Sequence, residues 1–289
     1  STAFSSPSMA QMFSSEINLG SVRDVSDSVF VRQASIGNPD LKPATSSNTN
    51  FGLIYEKDAL KLTIDYWEID YKDRIEVESA QAILSSDPNG PSVTRNEFGD
   101  LIGVTTSYFN EENTLIRGAD FNINYLLDIK DNGYLTFSLK GTKLDKFLTP
   151  GLIENQQLRM INRVGKFNFN THTHSLPKNR INAFINWNYK DYVFGLTSRY
   201  IDGYVNERAI TGLGITYGYE NKIDSFLVHD LSLRKILKVS SGELKLNLAL
   251  INILDESAPR LYDAPDFSFD TRVHDPRGRM LGVNIEYKF

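Results

Sequence analysis

Cysteine is absent from the 289 residues, which removes disulfide frameworks, thiolate zinc sites and cysteine nucleophiles together. Histidine occurs four times, at His172, His174, His229 and His274, too sparse a set to build a metal or catalytic centre from histidine alone. Cationic excess is missing as well. Lys and Arg number 31 against 36 Asp and Glu, a net charge of -5, so no nucleic-acid partner is expected, because that requires a clustered basic face. A long apolar run is also lacking. A membrane helix needs roughly 20 consecutive apolar residues, and the most apolar stretch, residues 244–254, is broken by Lys245, Asn247 and Asn252. The chain opens on Ser1, and its first residues lack the charged and apolar regions of a signal peptide, so it reads as a fragment or processed product.

What is present is period-two alternation, in segments near ten residues long, the length of a tilted membrane strand. Leu115, Arg117, Ala119, Phe121, Ile123, Tyr125 and Leu127 alternate with Gly118, Asp120, Asn122, Asn124 and Asp128. Similar apolar faces appear at Phe51, Leu53, Tyr55; at Leu135, Phe137, Leu139; at Ile181, Ala183, Ile185, Trp187, Tyr189; and at Tyr192, Phe194, Leu196, Tyr200. Three more follow: Leu227, Leu231, Leu233; Leu244, Leu246, Leu248, Leu250; and Leu281, Val283, Ile285, Tyr287, Phe289. Between Leu60 and Tyr71 the phase changes, and a β-bulge near Tyr66 is expected to reconcile Leu60, Leu62, Ile64 and Tyr66 with Trp67, Ile69 and Tyr71. With a truncated strand at the start, about ten strands result.

The connections distinguish a membrane barrel from a soluble sandwich. Short turns at 57–59, 130–133, 190–191 and 238–242 alternate with long loops at 73–113, 145–178, 203–223 and 255–277. Short periplasmic turns and long extracellular loops mark an outer-membrane barrel, whose alternating faces average to neutral hydropathy. Aromatics gather towards strand ends, at Tyr66, Trp67, Tyr71 and at Trp187, Tyr189, Tyr192, where interfacial girdles sit. The expected fold is therefore all-β, an antiparallel transmembrane β-barrel in the bacterial outer membrane, in contact with lipid and lipopolysaccharide.

Gly37, Asn38, Pro39, Asp40, Leu41, Lys42 and Pro43 resemble the G-N-P-x-L-K-P element of TonB-dependent outer-membrane receptors. Two prolines bias this segment to extended geometry, a stiff lead-in to the next strand. Ala44 and Thr45 follow where the family usually has Glu-Thr. Further pieces resemble the family in order: residues 1–13, 65–75, 116–125 and 250–255, then the closing strand 275–289. Gly282, Ile285, Tyr287 and the terminal Phe289 are similar to the β-signal by which the barrel-assembly machinery recognises outer-membrane proteins. The resemblance implies a 22-stranded barrel of which residues 1–289 form about the last ten strands, with the plug domain and the TonB-contacting segment outside this sequence. An open sheet of ten strands leaves two unpaired edges, costly in hydrocarbon.

The function so implied is TonB-energised uptake of a scarce nutrient, foremost a ferric siderophore, with the TonB complex engaged through the plug. A passive channel, or a receptor for cobalamin, haem, nickel or an oligosaccharide, is the alternative. No enzyme is expected, since no Ser-His-Asp order, nucleotide loop or carboxylate pair stands out; no cofactor and no resident metal are implied. His172 and His174 form a His-x-His pair on a long loop, for which a solvated loop is the simpler account. The last long loop is richer: Arg260, Tyr262, Asp263, Arg272 and His274 are the candidates for contact with a polar ligand at the extracellular mouth. Asp120, Asn122, Asn124, Arg180, Asn182, Asn186, Arg199, Asp230 and Arg234 are expected to line the lumen.

Overall fold

The computed structural model describes residues 1–25, 27–154, 157–168, 175–207, 210, 213–240, 242–262 and 268–289. The first half holds β1 (Thr2–Ser5), α1 (Met9–Phe13), β2 (Ser15–Asp24), β3 (Asp27–Ile36), β4 (Ala44–Lys57), β5 (Leu60–Val77), α2 (Ala80–Ser86), β6 (Val93–Arg95) and β7 (Leu101–Asp128). The second half holds β8 (Tyr134–Glu154), β9 (Gln157–Asn162), β10 (Asn179–Tyr189), β11 (Tyr192–Ile201), β12 (Tyr204–Val205), α3 (Leu213–Thr216), β13 (Lys222–Ile223), β14 (Phe226–Val239), β15 (Gly242–Ile251) and β16 (Met280–Lys288). No helix is long and apolar enough to cross a membrane.

Ten strands form one antiparallel wall in the order β1-β4-β5-β7-β8-β10-β11-β14-β15-β16. Each pairs with the next in the path, as in a meander, and the wall does not close on itself. Directly opposed residues share a face in such a ladder, so the registers carry one apolar face across the whole sheet. It runs through Leu53 opposite Ile64, Ile64 opposite Phe121 and Ile123 opposite Leu139. It continues through Leu139 opposite Ala183, Ile185 opposite Leu196, Leu196 opposite Leu231, Leu231 opposite Leu250 and Leu250 opposite Leu281. This face leaves large side chains uncovered, as the sequence alternation predicts for the outer side of a barrel wall. Exposure is greatest at the two ends: Phe51 is 74% and Leu281 74% exposed, against 36% for Leu139 and Ile185 in the middle. β1 covers β4 only from Ala44 to Ser47, so Phe51 has no neighbouring strand on one side, and β16 ends the wall at Leu281.

Strands reverse tightly at one end. Lys57 pairs with Leu60 and Tyr189 with Tyr192, leaving two-residue turns, and Asp58 (φ 51°) and Lys190 (φ 50°) take the left-handed backbone that such hairpins need. Between β7 and β8 the turn ends on Gly133 at φ 84°, where a Cβ would lie 1.9 Å from the Asn188 carbonyl oxygen. All long connections lie at the opposite end.

Two sequence expectations change. β5 pairs with β4 and β7 without a register shift through Tyr66, so no bulge separates Tyr66 from Trp67. Instead Trp67, Ile69 and Tyr71 sit on the inward face, and the phase change reflects apolar residues on both faces of one regular strand. The Trp67 indole donates to Asp120 (3.0 Å), and Gly118 opposite leaves room for the ring, since a Cβ there would meet it at 2.6 Å. Likewise much of the expected loop at 73–113 is strand: β5 runs to Val77 and β7 begins at Leu101. β8 likewise runs on to Glu154, into the loop expected at 145–178.

The buried apolar residues lie mainly in the long connections, since a one-layer wall has no second layer to cover either of its faces. Val22, Val31, Ala80, Leu84, Leu101 and Val104 form one cluster beneath the β2–β3 hairpin, which pairs with β7 in parallel. Phe167, Tyr204, Ile223 and Leu261 form the second, drawn from three different connections.

Candidate functional site

The inward face carries hydrogen-bonded polar rungs that cross from strand to strand. Asp120 accepts from Trp67 and from the Thr142 hydroxyl (2.6 Å), and Asn124 donates to Asn122 (3.1 Å) while accepting from Ser138 (2.7 Å). Arg199 pairs with Asp230 at 3.1 Å, and Asp230 also accepts the Asn252 N–H at the base of the last connection. Arg234 donates to Asn247 (3.0 Å), which donates to Asn284 (3.2 Å). By register Arg180, Asn182 and Asn186 share this face. The nine residues expected to line the lumen thus occupy one side of the wall.

Residues 37–43 are bolted down at the top of the wall. The Gly37 and Asn38 N–H groups donate to the carbonyls of Ser14 (2.8 Å) and Gln11 (2.9 Å), tying the segment to the end of α1. Asn38 turns the chain by accepting the Asp40 N–H on its side chain (2.9 Å) and donates to the Tyr108 carbonyl on β7 (2.9 Å). Asn110 on β7 accepts the Lys42 N–H (2.8 Å) and donates back to the Lys42 carbonyl (2.9 Å). Leu41 is buried, Pro43 leads directly into β4, and a Cβ at Gly37 would meet the Met12 and Phe13 backbone at 2.7 Å.

The second apolar cluster encloses a polar knot. Asp270, 2% exposed, accepts hydrogen bonds from the hydroxyls of Ser175 and Tyr204 (2.7 Å to Tyr204) and from the Arg272 N–H (3.1 Å). Since the Tyr204 proton is committed to Asp270, the 3.3 Å contact between Tyr204 oxygen and His274 Nε2 is a bond that His274 donates. His274 Nδ1 is then a bare acceptor, with no hydrogen-bond partner among the described residues. Tyr204 stacks on the imidazole (6.0 Å) and Phe226 meets it edge-on (5.3 Å). Burial drives the His274 pKa down to about 4 despite the nearby Asp270, and burial likewise raises the Tyr204 hydroxyl far above its ordinary value. The ring is therefore neutral at physiological pH. Its partners come from three connections, so the knot joins them into one module.

Of the candidate ligand residues, His274 lies inside this module, 4% exposed. Arg260 and Arg272 are exposed and Tyr262 is half-buried. Asp263 lies outside the described residues, as do His172 and His174. Arg260 and Tyr262 belong to one row: the Arg260 guanidinium sits over the Tyr219 ring (4.2 Å), Tyr219 packs on Tyr262 (5.4 Å), and Arg23 from β2 lies over Tyr262 (5.7 Å). Tyr219 and Arg23, which sequence reading did not single out, complete the row. Single Arg and Tyr residues far apart in sequence carry no local pattern. At the other end, Ile285 and Tyr287 point outward opposite Leu246 and Leu244, Gly282 lies on the inward face opposite Ala249, and the Phe289 ring packs edge-on against Tyr287 (4.9 Å). Among the described residues, no cluster of three or more His, Asp or Glu is arranged to hold a metal ion.

A one-layer antiparallel wall, apolar outside and polar inside, with folded long connections at one end, is the geometry of a large membrane barrel. The family model described as "TonB dependent receptor-like, beta-barrel" matches residues 1–253. The chain belongs to the TonB-dependent receptor β-barrel family. Solved structures agree on the fold. The siderophore receptor PirA from Acinetobacter baumannii is similar over 100% of this chain and 38% of its own, with a TM-score of 0.60 and 16% identity. A variant of the ferric enterobactin receptor PfeA from Pseudomonas aeruginosa, in complex with enterobactin, is similar over 98% of this chain and 37% of its own, with a TM-score of 0.59 and 16% identity. The copper transporter OprC is similar over 100% of this chain and 36% of its own, with a TM-score of 0.56 and 17% identity. This TonB-dependent receptor chain thus spans little more than a third of the length of the structures it matches. No curated protein matches its sequence.

Proposed function

We propose that residues 1–289 form the C-terminal part of a 22-stranded receptor barrel in the bacterial outer membrane, and that the complete receptor takes up a ferric siderophore with energy delivered through TonB. The family match over residues 1–253 carries this reading. The siderophore assignment is supported by the siderophore and ferric enterobactin receptors among the similar structures; the copper transporter among them makes metal cargo in another form the second reading. In this reading the inner rungs face the plug, through which the TonB complex acts. Arg260, Tyr262, Asp263 and Arg272 meet the ligand at the mouth, with His274 holding their loop from below. Gly282, Ile285, Tyr287 and Phe289 present the closing strand to the barrel-assembly machinery, and the outward belt meets lipid and lipopolysaccharide.

The test is uptake. Deleting the gene is expected to abolish accumulation of a radiolabelled ferric siderophore by iron-starved cells, and collapsing the inner-membrane proton gradient is expected to do the same in the parent strain. Uptake that survives loss of the gradient would assign a passive channel instead. Unchanged iron uptake with lost copper uptake would favour the second reading.

A further inference from the structure

At the tight-turn end of the wall, β10 and β11 carry four aromatic rings in contact. Trp187 stacks on Tyr189 (5.6 Å) and, across the strand pair, on Phe194 (5.2 Å), and Phe194 stacks on Tyr192 (6.0 Å). The Trp187 indole donates to the Asn132 carbonyl (2.9 Å), which fixes its ring against the neighbouring turn. Each residue is placed on the outward face by direct pairing. Trp187 lies opposite Leu135, Tyr189 opposite Tyr192, Tyr192 opposite Lys235, and Lys235 opposite Leu246 of the apolar belt.

Two lysines cap this patch. The Lys190 ammonium sits 5.0 Å over the Tyr189 ring, and the Lys235 ammonium 4.7 Å over the Tyr192 ring. Neither pairs with a carboxylate among the described residues. Asp191, next to Lys190 in the turn, bonds neither ammonium group; its carbonyl accepts the Ile236 N–H (2.9 Å). The inward face at the same height is built differently. Lys245, beside Leu246 on β15, has both Glu243 (3.5 Å) and Glu286 (3.7 Å) within reach. The lumen lysine is thus balanced by protein, and the two lysines on the lipid side are not.

Their position narrows what balances them. An ammonium group at the border of hydrocarbon has water on one side only, so an anion beside it is held more strongly than in bulk solvent. The rings keep both cations close to the sheet. Tyr189 and Tyr192 are directly opposed, with Cβ atoms about 5 Å apart in such a pair, so the two charges stand on adjoining rings. Short turns of an outer-membrane barrel face the periplasm, and the leaflet on that side is made of glycerophospholipid, whose phosphates lie at the level of the aromatic belt.

We propose that Lys190 and Lys235 bind the phosphate of an anionic glycerophospholipid of the periplasmic leaflet, with its glycerol and upper acyl chain lying on the four rings. Two lysines against one phosphodiester leave a positive charge, so the site selects its headgroup. Phosphatidylethanolamine would bring a third ammonium beside the first two; phosphatidylglycerol brings none. This inference rests on the chain being part of an outer-membrane barrel with its short turns in the periplasm.

Native mass spectrometry of the full-length receptor in detergent, titrated with dioleoyl phosphatidylglycerol or dioleoyl phosphatidylethanolamine, reads the lipid retained. The parent is expected to prefer phosphatidylglycerol by roughly fivefold or more, the effect of one interfacial lysine. Lys190→Gln combined with Lys235→Gln is expected to abolish the preference, while Lys235→Arg keeps it. Lys143→Gln combined with Lys146→Gln removes the same charge from the outward side of β8, opposite Ala119 and Arg117, and is expected to leave the preference intact. Equal retention of the two lipids by the parent, or an unchanged preference without Lys190 and Lys235, would overturn the proposal. A preference lost equally in both double variants would overturn it too, assigning the effect to overall charge. Stronger retention of lipid A than of phosphatidylglycerol, lost with the same two lysines, would overturn it by placing this end in the other leaflet. Cell fractionation tests the underlying reading separately: a receptor recovered outside the outer membrane sinks that reading, whatever the lipid retention.

Discussion

At the residue scale, His274 shows how a loop core can be polar and still hold together. Its neutral ring donates through Nε2 to Tyr204, whose own proton goes to Asp270, so each donor of the knot has an acceptor. Protonation would place a second N–H at Nδ1, where no described group accepts it. Burial of the ring is the chief origin of a pKa near 4, well below the ordinary value of 6.5, and Asp270 offsets it only in part. The sign follows. Between those two values the unfolded loop binds a proton that the folded module refuses, so module stability is complete above about pH 6.5 and falls as pH drops towards 4, by on the order of 3 kcal/mol in all. Limited proteolysis of the detergent-solubilised receptor across this range reads the effect as faster cleavage in the connections at acid pH. In His274→Phe the pH dependence is expected to flatten even if cleavage is faster throughout; a slope identical to the parent's would show that another group is responsible. Tyr204→Phe, which leaves the buried Asp270 one donor short, is expected to cost about 1–3 kcal/mol of module stability at neutral pH, measured as faster cleavage at pH 7.

At the element scale, residues 37–43 act as a splice between α1, β7 and β4, and Asn110 is the side chain that makes it. Its carboxamide pairs with both backbone groups of Lys42 and also donates to the Asp73 carbonyl (2.8 Å), where β5 takes the left-handed backbone. Asn110→Ala strips these partners at once and is expected to destabilise the upper wall by about 1–3 kcal/mol, seen as a lower temperature for loss of the folded band in heat-modifiability gels; Asn110→Asp, which keeps only the acceptor, falls between the two. Strands such as β10, β14, β15 and β16 are legible in the sequence because lipid on one face and polar rungs on the other enforce strict alternation. Legibility fails where both faces are apolar. β5 misleads at Trp67 because an inward indole finds Asp120 and the space at Gly118 on neighbouring strands. The β2–β3 hairpin goes unread because Val22, Val29 and Val31 are buried beneath while Ile17, Leu19 and Phe30 are apolar above. The candidate site is legible only in part for the same reason: Arg260 and Tyr262 stand out within a charged loop, whereas Tyr219, Tyr204 and Ser175 join them from connections that no local spacing relates.

At the scale of the whole molecule, the wall has an outside and an inside only because a single parity survives ten strands. That parity makes neighbouring residues opposites. Val283 and Asn284 are adjacent on β16, yet Val283 faces outward opposite Leu248 while Asn284 faces inward, opposite Asn247 and hydrogen-bonded to it. Val283 sits between Leu281 and Ile285 in the belt, where a lysine on the lipid face of a barrel costs roughly 2–4 kcal/mol. Lysine at position 284 enters a face already lined by Arg234 and Lys245 and is wetted by the lumen. Val283→Lys is therefore expected to lower the fraction of receptor recovered as a heat-modifiable barrel from outer membranes, while Asn284→Lys leaves it close to the parent level. The reverse order would mean that the faces are assigned backwards and would undo the belt and the lumen rungs together. Equal loss in both variants would show that β16 in the complete receptor is enclosed by protein on each side, which a lipid-facing strand cannot be.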